Sequence, residues 1–100
     1  MAVAFIQEWR DASPGTDNYD AVAAKINAQS NPPAGLIAHT AGTDASGVFR
    51  IFDIWETREQ ADRFQEERVM PIITELMQDR DDMTPPDLQE TYELHDLVRG

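Results

Sequence analysis

Two histidines, His39 and His95, are the side chains in this sequence best suited to accept and return a proton near neutral pH. Either could act as a general base, and the alternative for each is a histidine hydrogen-bonded within a sheet or at a subunit interface. His95 is followed by Asp96, but neighbouring residues of a strand point to opposite faces. The sequence therefore does not predict an oriented pair of His95 and Asp96.

Charged residues interrupt the apolar stretch from Val48 to Trp55, one on each face. Asp53 is in phase with Phe49 and Trp55, whereas Arg50 is in phase with the residues between them. A charge on a covered face needs a partner, so each side chain lines a ligand pocket, forms an ion pair or lies at a solvent edge. Asp53 is therefore a candidate catalytic residue.

Polar side chains also occur on other apolar strands. Gln7 and Tyr92 can hydrogen-bond a quinone-like or carbonyl ligand, and with His95 they form the predicted ligand-binding set. The sequence has no cysteine, no histidine pair at ligand spacing and no glycine-rich phosphate loop. We therefore expect no metal site and no bound cofactor.

Composition limits the classes of partner. The chain has 100 residues, 41% of them hydrophobic, and a formal net charge of -11. This length predicts a single domain over residues 1–100, and the acidity disfavours nucleic acid and anionic membranes as partners. No apolar run approaches the roughly 18 residues needed to cross a bilayer. The first residues lack a basic secretion signal, so we expect a cytoplasmic protein.

Hydrophobic periodicity predicts six elements. Turn signals separate them, including Ser13 to Gly15, the paired prolines 32 and 33, and a hairpin connector from Gly42 to Gly47. Thr16 or Asp17 can cap the first helix, and Thr57 to Gln60 form a capping box at the start of the second helix. We expect a kink in the second helix near Val69, before Pro71. The predicted strands are 2–9, 36–41, 48–55 and 88–98, and the predicted helices are 17–26 and 57–77.

The order strand, helix, strand, strand, helix, strand predicts an α+β, ferredoxin-like βαββαβ fold, with a four-stranded antiparallel sheet and two helices on one face. Both faces of the third strand are apolar, and two helices cover only one of them. We therefore expect a homodimer in which the sheets face each other. RNA-recognition modules have the same strand order, but the segment from Ser46 to Phe52 lacks their basic aromatic pattern.

Two segments of the sequence resemble a known family. Ile51-Phe52-Asp53-Ile54-Trp55-Glu56, which leads into a helix, and Phe64 to Pro71 are similar to the dimeric α+β barrel superfamily, and more narrowly to its antibiotic-biosynthesis-monooxygenase-like members. The resemblance implies a cofactor-independent monooxygenase that acts on quinol or aromatic polyketide-type substrates. The alternative is a non-catalytic ligand-binding or interaction protein on the same dimeric scaffold.

The resemblance also implies a role for Trp55, because oxygenases of this family often present a tryptophan at this position to a pocket. We expect a pocket for a small aromatic ligand between helices and sheet, with Trp55 as a wall and His39 and Asp53 as the other candidate catalytic residues. The alternative for Trp55 is a core aromatic. The haem-degrading branch uses a histidine of the second helix, and this sequence has none there.

Overall fold

A computed structural model describes residues 1–10 and 16–100, so the predicted turn at Ser13 to Gly15 lies outside the described residues. The strands are Val3–Trp9 (β1), Leu36–Thr43 (β2), Phe49–Trp55 (β3) and Leu88–Glu93 (β4). The helices are Asp17–Ile26 (α1), Arg58–Phe64 (α2) and Met70–Met77 (α3), with a π-helical turn at Gln65–Val69 between α2 and α3. The sheet is antiparallel in the order β2-β3-β1-β4, which confirms the ferredoxin-like fold.

The helices lie on one face of this sheet, called the helix face below. Val3, Phe5 and Trp55 alternate onto it, and they pack with Ala61 of α2. Leu36 and Phe64 lie against this cluster at its margin. Burial of these large apolar surfaces is the main stabilising contribution that ties the second helical region to the two central strands.

The opposite face of the sheet, called the outer face below, is also apolar at its centre. Ala4 is fully buried between its strand neighbours Ile54 and Tyr92. Ile6 and its neighbour Phe52 lie in the next row and are partly exposed. The expectation of two apolar faces is therefore met in the two central strands.

An extra residue in β2 sets the orientation of that strand. Leu36 lies opposite Trp55 and Ala38 lies opposite Ile54, so Ile37 has no counterpart on β3. Such a bulge shifts the alternation of side chains by one residue. Leu36 and His39, which are three positions apart, consequently both point to the helix face.

The structure corrects two local predictions. No hydrogen bond from a side chain caps α1, because the Thr16 hydroxyl instead donates to Asp20 Oδ2 at 3.1 Å. β4 ends at Glu93 and does not reach residue 98. β1 begins at Val3, and the Leu94 amide donates to the carbonyl of Ala2 just before it, so the ladder between β1 and β4 ends at this point.

The second helical region behaves largely as predicted. Thr57 Oγ1 accepts the backbone N–H of Gln60 at 3.1 Å, although the Gln60 side chain contacts the Thr57 hydroxyl and not its backbone. The irregularity expected near Val69 takes the form of the π-helical turn. Pro71 cannot donate to the carbonyl four residues earlier, and its ring crowds that carbonyl, which favours a wider turn at this point.

Candidate functional site

His39 and Asp53 meet on the helix face because they are directly opposite each other on β2 and β3. Side chains at such positions have Cβ atoms about 4.5–5.5 Å apart, within reach of a hydrogen bond. His39 Nδ1 lies 2.6 Å from Asp53 Oδ1. Asp53 is 3% exposed, and it is the only buried charged residue among those described. The structure thus brings two of the three predicted catalytic residues together.

Tyr19 completes a row of three polar groups. Its hydroxyl lies 2.6 Å from His39 Nε2, on the side of the imidazole away from Asp53. The two rings are nearly parallel, with an interplanar angle of 11° and centroids 6.1 Å apart. Tyr19 is in the first turn of α1, so the row joins that helix to the sheet.

The spacing of Tyr19, Val22 and Ile26 in the sequence is that of the apolar stripe of a helix, and it does not mark Tyr19 as a site residue. The ring of Tyr19 does belong to that stripe, because it packs edge-on against Phe49 with centroids 5.3 Å apart. A tyrosine in an apolar stripe carries a hydroxyl that usually finds a partner when it is buried. The need of the hydroxyl for a partner was the one sequence signal that Tyr19 has a polar contact, and it could not identify His39 as that partner.

The proton positions follow from the partners. The carboxylate of Asp53 favours a proton on His39 Nδ1, which leaves Nε2 of the neutral imidazole to accept a hydrogen bond from the Tyr19 hydroxyl. The hydrogen bond that His39 Nδ1–H donates to Asp53 is the main cause that raises the pKa of His39 above its ordinary value, and the charge of Asp53 adds to it, although partial burial opposes both. Burial, followed by the charges of Asp53 and Asp20, raises the pKa of Tyr19.

This arrangement can accept and store a proton. A buried carboxylate holds the imidazole in one tautomer and stabilises the imidazolium form, which is the order of groups used in acid–base triads. A hydroxyl at Nε2 is placed to give its proton to the imidazole or to receive one from it. The row Tyr19, His39 and Asp53 is therefore a candidate acid–base centre.

The centre opens at the edge of the sheet. His39 lies on the edge strand β2, and 37% of its side chain is exposed. Ala41 and Thr43 alternate onto the same face, opposite Ile51 and Phe49, and both are exposed. The helices thus leave the second half of β2 uncovered, and a small molecule can approach His39 from this side.

Trp55 lies in the apolar core. It is 1% exposed, and its ring packs against Phe64 with centroids 5.1 Å apart. Its indole Nε1 is nevertheless a buried donor without an acceptor among the described residues. An unsatisfied buried donor costs about 1–3 kcal/mol. Trp55 shares the helix face with Asp53, two residues away on β3.

The three predicted ligand-binding residues do not converge on His39. Gln7 is on the helix face, but its amide donates to Gln89 Oε1 at 2.8 Å, on β4. Tyr92 is on the outer face, beside Ala4, so its expected place in a pocket beneath the helices is corrected. His95 is exposed beyond the end of β4, and β4 is the sheet edge opposite to β2, roughly 14 Å away at the usual strand spacing.

Surface depressions occur elsewhere on the described residues. One of about 400 Å³ lies on the side of α2 between Arg58 and Glu67, and one of about 500 Å³ lies between Met77 and Met83. Neither is lined by Trp55 or by the acid–base row. Within residues 1–10 and 16–100, no cluster of three or more acidic or histidine side chains could hold a metal ion. No described helix has both the length and the apolar character that a bilayer span requires.

Comparison with solved structures identifies the same fold in other proteins. One is a protein from Deinococcus radiodurans that is named as a proposed antibiotic biosynthesis monooxygenase. It superposes with a TM-score of 0.68 at 15% sequence identity, over 99% of this chain and 97% of that chain. The chain thus shares the fold of antibiotic-biosynthesis-monooxygenase-like proteins.

Two further structures extend this comparison. A variant of SnoaB, a cofactor-independent oxygenase from Streptomyces nogalater, has a TM-score of 0.65 at 13% identity, over 99% of this chain and 98% of that one. NE2512, a protein of unknown function from Nitrosomonas europaea, has a TM-score of 0.67 at 17% identity, over 99% and 94% of the two chains. The sequence matches no protein-family model and no curated protein.

Proposed function

We propose that this protein is a small-molecule enzyme that removes a proton from a hydroxyaromatic substrate, with His39 as the general base and Asp53 as the residue that orients and stabilises it. The observation that carries the proposal is the 2.6 Å contact between His39 Nδ1 and the buried carboxylate of Asp53. A buried carboxylate is costly unless it is paired, and this pair faces an open sheet edge.

The reaction proposed is a cofactor-independent monooxygenation, and the fold shared with SnoaB supports it. Deprotonation of an anthrone or quinol gives an electron-rich anion that can reduce O₂ directly. In an anthrone, the ring CH₂ group becomes a carbonyl by losing two hydrogen atoms and gaining one oxygen atom from O₂. The other oxygen atom leaves as water, so the four electrons lost by carbon are those gained by O₂.

Trp55 is proposed as a second point of contact, which requires the packing around this 1% exposed side chain to open. Its Nε1–H is a buried donor that shares the helix face with Asp53, and the carbonyl oxygen of a substrate is an acceptor that suits it. The tight packing of Trp55 against Phe64 favours the alternative, a non-catalytic ligand-binding protein on the same scaffold. Turnover separates the two functions.

The test is consumption of O₂ with 1,8-dihydroxyanthrone, measured above the rate of spontaneous oxidation in buffer. We expect a protein-dependent rate, and we expect His39→Gln to lower it about 100-fold or more, the usual contribution of a general base. His95→Gln is the matched control, since His95 lies beyond the opposite edge of the sheet. A rate that His39→Gln leaves unchanged, or no rate above buffer, would contradict the proposal.

We also propose that two copies of the chain pair through their outer faces. The apolar centre of this face, formed by Ala4, Ile6, Phe52 and Ile54, supports this pairing because no helix packs on that side in the described core. Light scattering should give twice the chain mass of 11.3 kDa, and Ile54→Glu should give the single-chain mass. A wild-type monomer at micromolar concentration would contradict it. The expected cytoplasmic location stays a prediction.

A further inference from the structure

The hydroxyl of Tyr19 occupies the side of His39 from which a base would act. Asp53 takes Nδ1, so Nε2 is the only ring nitrogen left to accept a substrate proton, and Tyr19 lies 2.6 Å from it. A substrate proton must therefore displace Tyr19 or pass through its hydroxyl. The pairing of His39 with Asp53 does not explain why Tyr19 occupies this position, so Tyr19 has a role of its own.

We propose that Tyr19 is a catalytic residue that contacts the substrate hydroxyl and relays its proton to His39, and that the site selects an uncharged hydroxyaromatic molecule over an anionic one. This inference rests on the proposed function, since it names the substrate contact of the same acid–base centre.

The relay moves one proton without any change in oxidation state. The substrate O–H donates to the Tyr19 oxygen, whose own proton is already directed at His39 Nε2. As the substrate O–H bond breaks, Tyr19 gains that proton and releases its own to Nε2. Tyr19 is neutral before and after, the imidazole becomes imidazolium beside Asp53, and the substrate becomes the anion that its next step requires.

The acid–base properties of the two side chains agree with this direction of transfer. Burial, Asp53 and Asp20 raise the pKa of Tyr19, which keeps its hydroxyl protonated and opposes formation of a tyrosinate. Asp53 raises the pKa of His39, which makes it a better final acceptor of the proton. Tyr19 is thus suited to pass a proton on, and His39 is suited to hold it.

The charges near the relay favour a neutral ligand. Asp53 and Asp20 both act on the Tyr19 hydroxyl, and Coulomb repulsion from two carboxylates in a half-buried site disfavours an incoming anion. Arg50 is on the outer face with Glu8, and Lys25 pairs with Glu75 at 3.3 Å. Arg80 donates to the side-chain oxygen of Asn18, next to Tyr19, but the charges that act on the Tyr19 hydroxyl are those of the two carboxylates. The substrate anion that forms in the reaction is not repelled in the same way as an incoming anion, because the His39 imidazolium that forms with it supplies a compensating positive charge.

The surroundings favour an aromatic ring on the substrate. Tyr19 lies edge-on to Phe49, which is buried and contacts Trp9 with centroids 6.0 Å apart, so the aromatic ring that a substrate can meet at the relay is that of the partly exposed Tyr19. The exposed Ala41 and Thr43 leave the adjoining part of the helix face accessible. Aromatic pairs contribute attraction beyond simple burial of area.

The experiment compares two ligands of equal ring size, 2-naphthol and 2-naphthoate, which carry a hydroxyl and a carboxylate respectively. Binding is followed by the NMR signals of the His39 imidazole nitrogens in ¹⁵N-labelled protein at pH 7. We expect 2-naphthol to bind about tenfold or more tightly than 2-naphthoate, because the carboxylates of Asp53 and Asp20 repel the anion. We expect Tyr19→Phe to weaken the binding of 2-naphthol about tenfold or more, because the variant lacks the hydroxyl that contacts the ligand. Tyr92→Phe, which changes the only other tyrosine, on the outer face, is the matched control.

Turnover of 1,8-dihydroxyanthrone gives the second measurement. Loss of about 100-fold or more in Tyr19→Phe, with the fold retained by circular dichroism, supports the relay. Full activity in Tyr19→Phe together with loss in His39→Gln overturns the relay and leaves the proposed function standing. Equal binding of the two naphthalenes overturns the charge selection. Absence of wild-type turnover overturns the proposed enzyme, whereas Tyr19-dependent binding of 2-naphthol still supports the ligand contact.

Discussion

The two faces of β3 each carry one charge in an apolar strand, and the two charges are paired in different ways. Asp53 on the helix face is buried and pairs with a histidine, whose own charge depends on pH. Arg50 on the outer face pairs with Glu8 at 2.8 Å and lies 3.7 Å from Asp44, near the turn between β2 and β3. The first pair contains a histidine, whose ordinary pKa lies near neutral pH, whereas the second pair contains an arginine, which does not titrate there.

The two faces should differ most in how much their apolar side chains contribute to the free energy of unfolding. Trp55→Ala removes a fully buried indole from the helix face, and we expect a loss of about 3–5 kcal/mol in the free energy of unfolding by urea. Tyr92→Phe on the outer face should change it by less than about 0.5 kcal/mol, since this side chain is exposed. Similar losses in both variants would mean that the Tyr92 hydroxyl is buried and bonded in the assembled protein.

Asp53→Asn tests the buried pair, and its expected effect is smaller. It replaces a charged acceptor by a neutral one, which should cost about 1–2 kcal/mol. In the wild type, the raised pKa of His39 gives stability that is fully present below its ordinary value of 6.5 and is lost as pH rises through the folded value. Urea unfolding at pH 6 and pH 8.5 should therefore show this loss in the wild type, and Asp53→Asn should reduce it.

The titratable groups that face His39 in this experiment are Asp53, Tyr19 and, through Tyr19, Asp20. Histidine is the side chain whose ordinary pKa lies in the range of this experiment. An unchanged pH dependence in Asp53→Asn would show that another group causes it. Asp20→Asn, made in parallel, should keep the dependence that is due to the pair.

The smallest effect is expected for the pair on the outer face. Glu8→Gln should cost less than about 1 kcal/mol, because Arg50 is partly exposed near the turn and exposed ion pairs contribute little. Its pH dependence between pH 6 and 8.5 should match that of the wild type, since an arginine does not titrate there. A loss of 2 kcal/mol or more would show that this pair is covered in the assembled protein.

The fold was predictable because local signals and the overall topology agree. Strands and helices alternate in a recognisable order, and signals such as Thr57 and Pro71 mark where helices begin or change. The last strand was predicted too long because periodicity continues to Val98, whereas the length of β4 depends on where its partner β1 begins. Pairing across a sheet is a property of two segments and cannot be derived from one of them.

The site was predictable by residue type but not by geometry. The sequence indicated His39 and Asp53 separately, but the predicted connector from Gly42 to Gly47 would set Ala41 opposite Val48 and so His39 opposite Arg50. The actual turn places Thr43 opposite Phe49, a shift of register that brings Asp53 to His39. Contact with Tyr19 further requires the packing of α1 on the sheet, on which the strand pattern carries no information.

The bulge at Ile37 has a consequence for recognising distant relatives of this protein. In this chain the histidine follows Leu36 by three positions, because the bulge adds one residue between them. In a relative whose β2 lacks that residue, the histidine would have to follow the leucine by two positions to point toward the helices. An ungapped alignment would then pair that histidine with Ala38 and report the base as missing. A search for this centre should therefore compare the residue opposite the aspartate in three dimensions, and should allow a one-residue gap between Leu36 and His39.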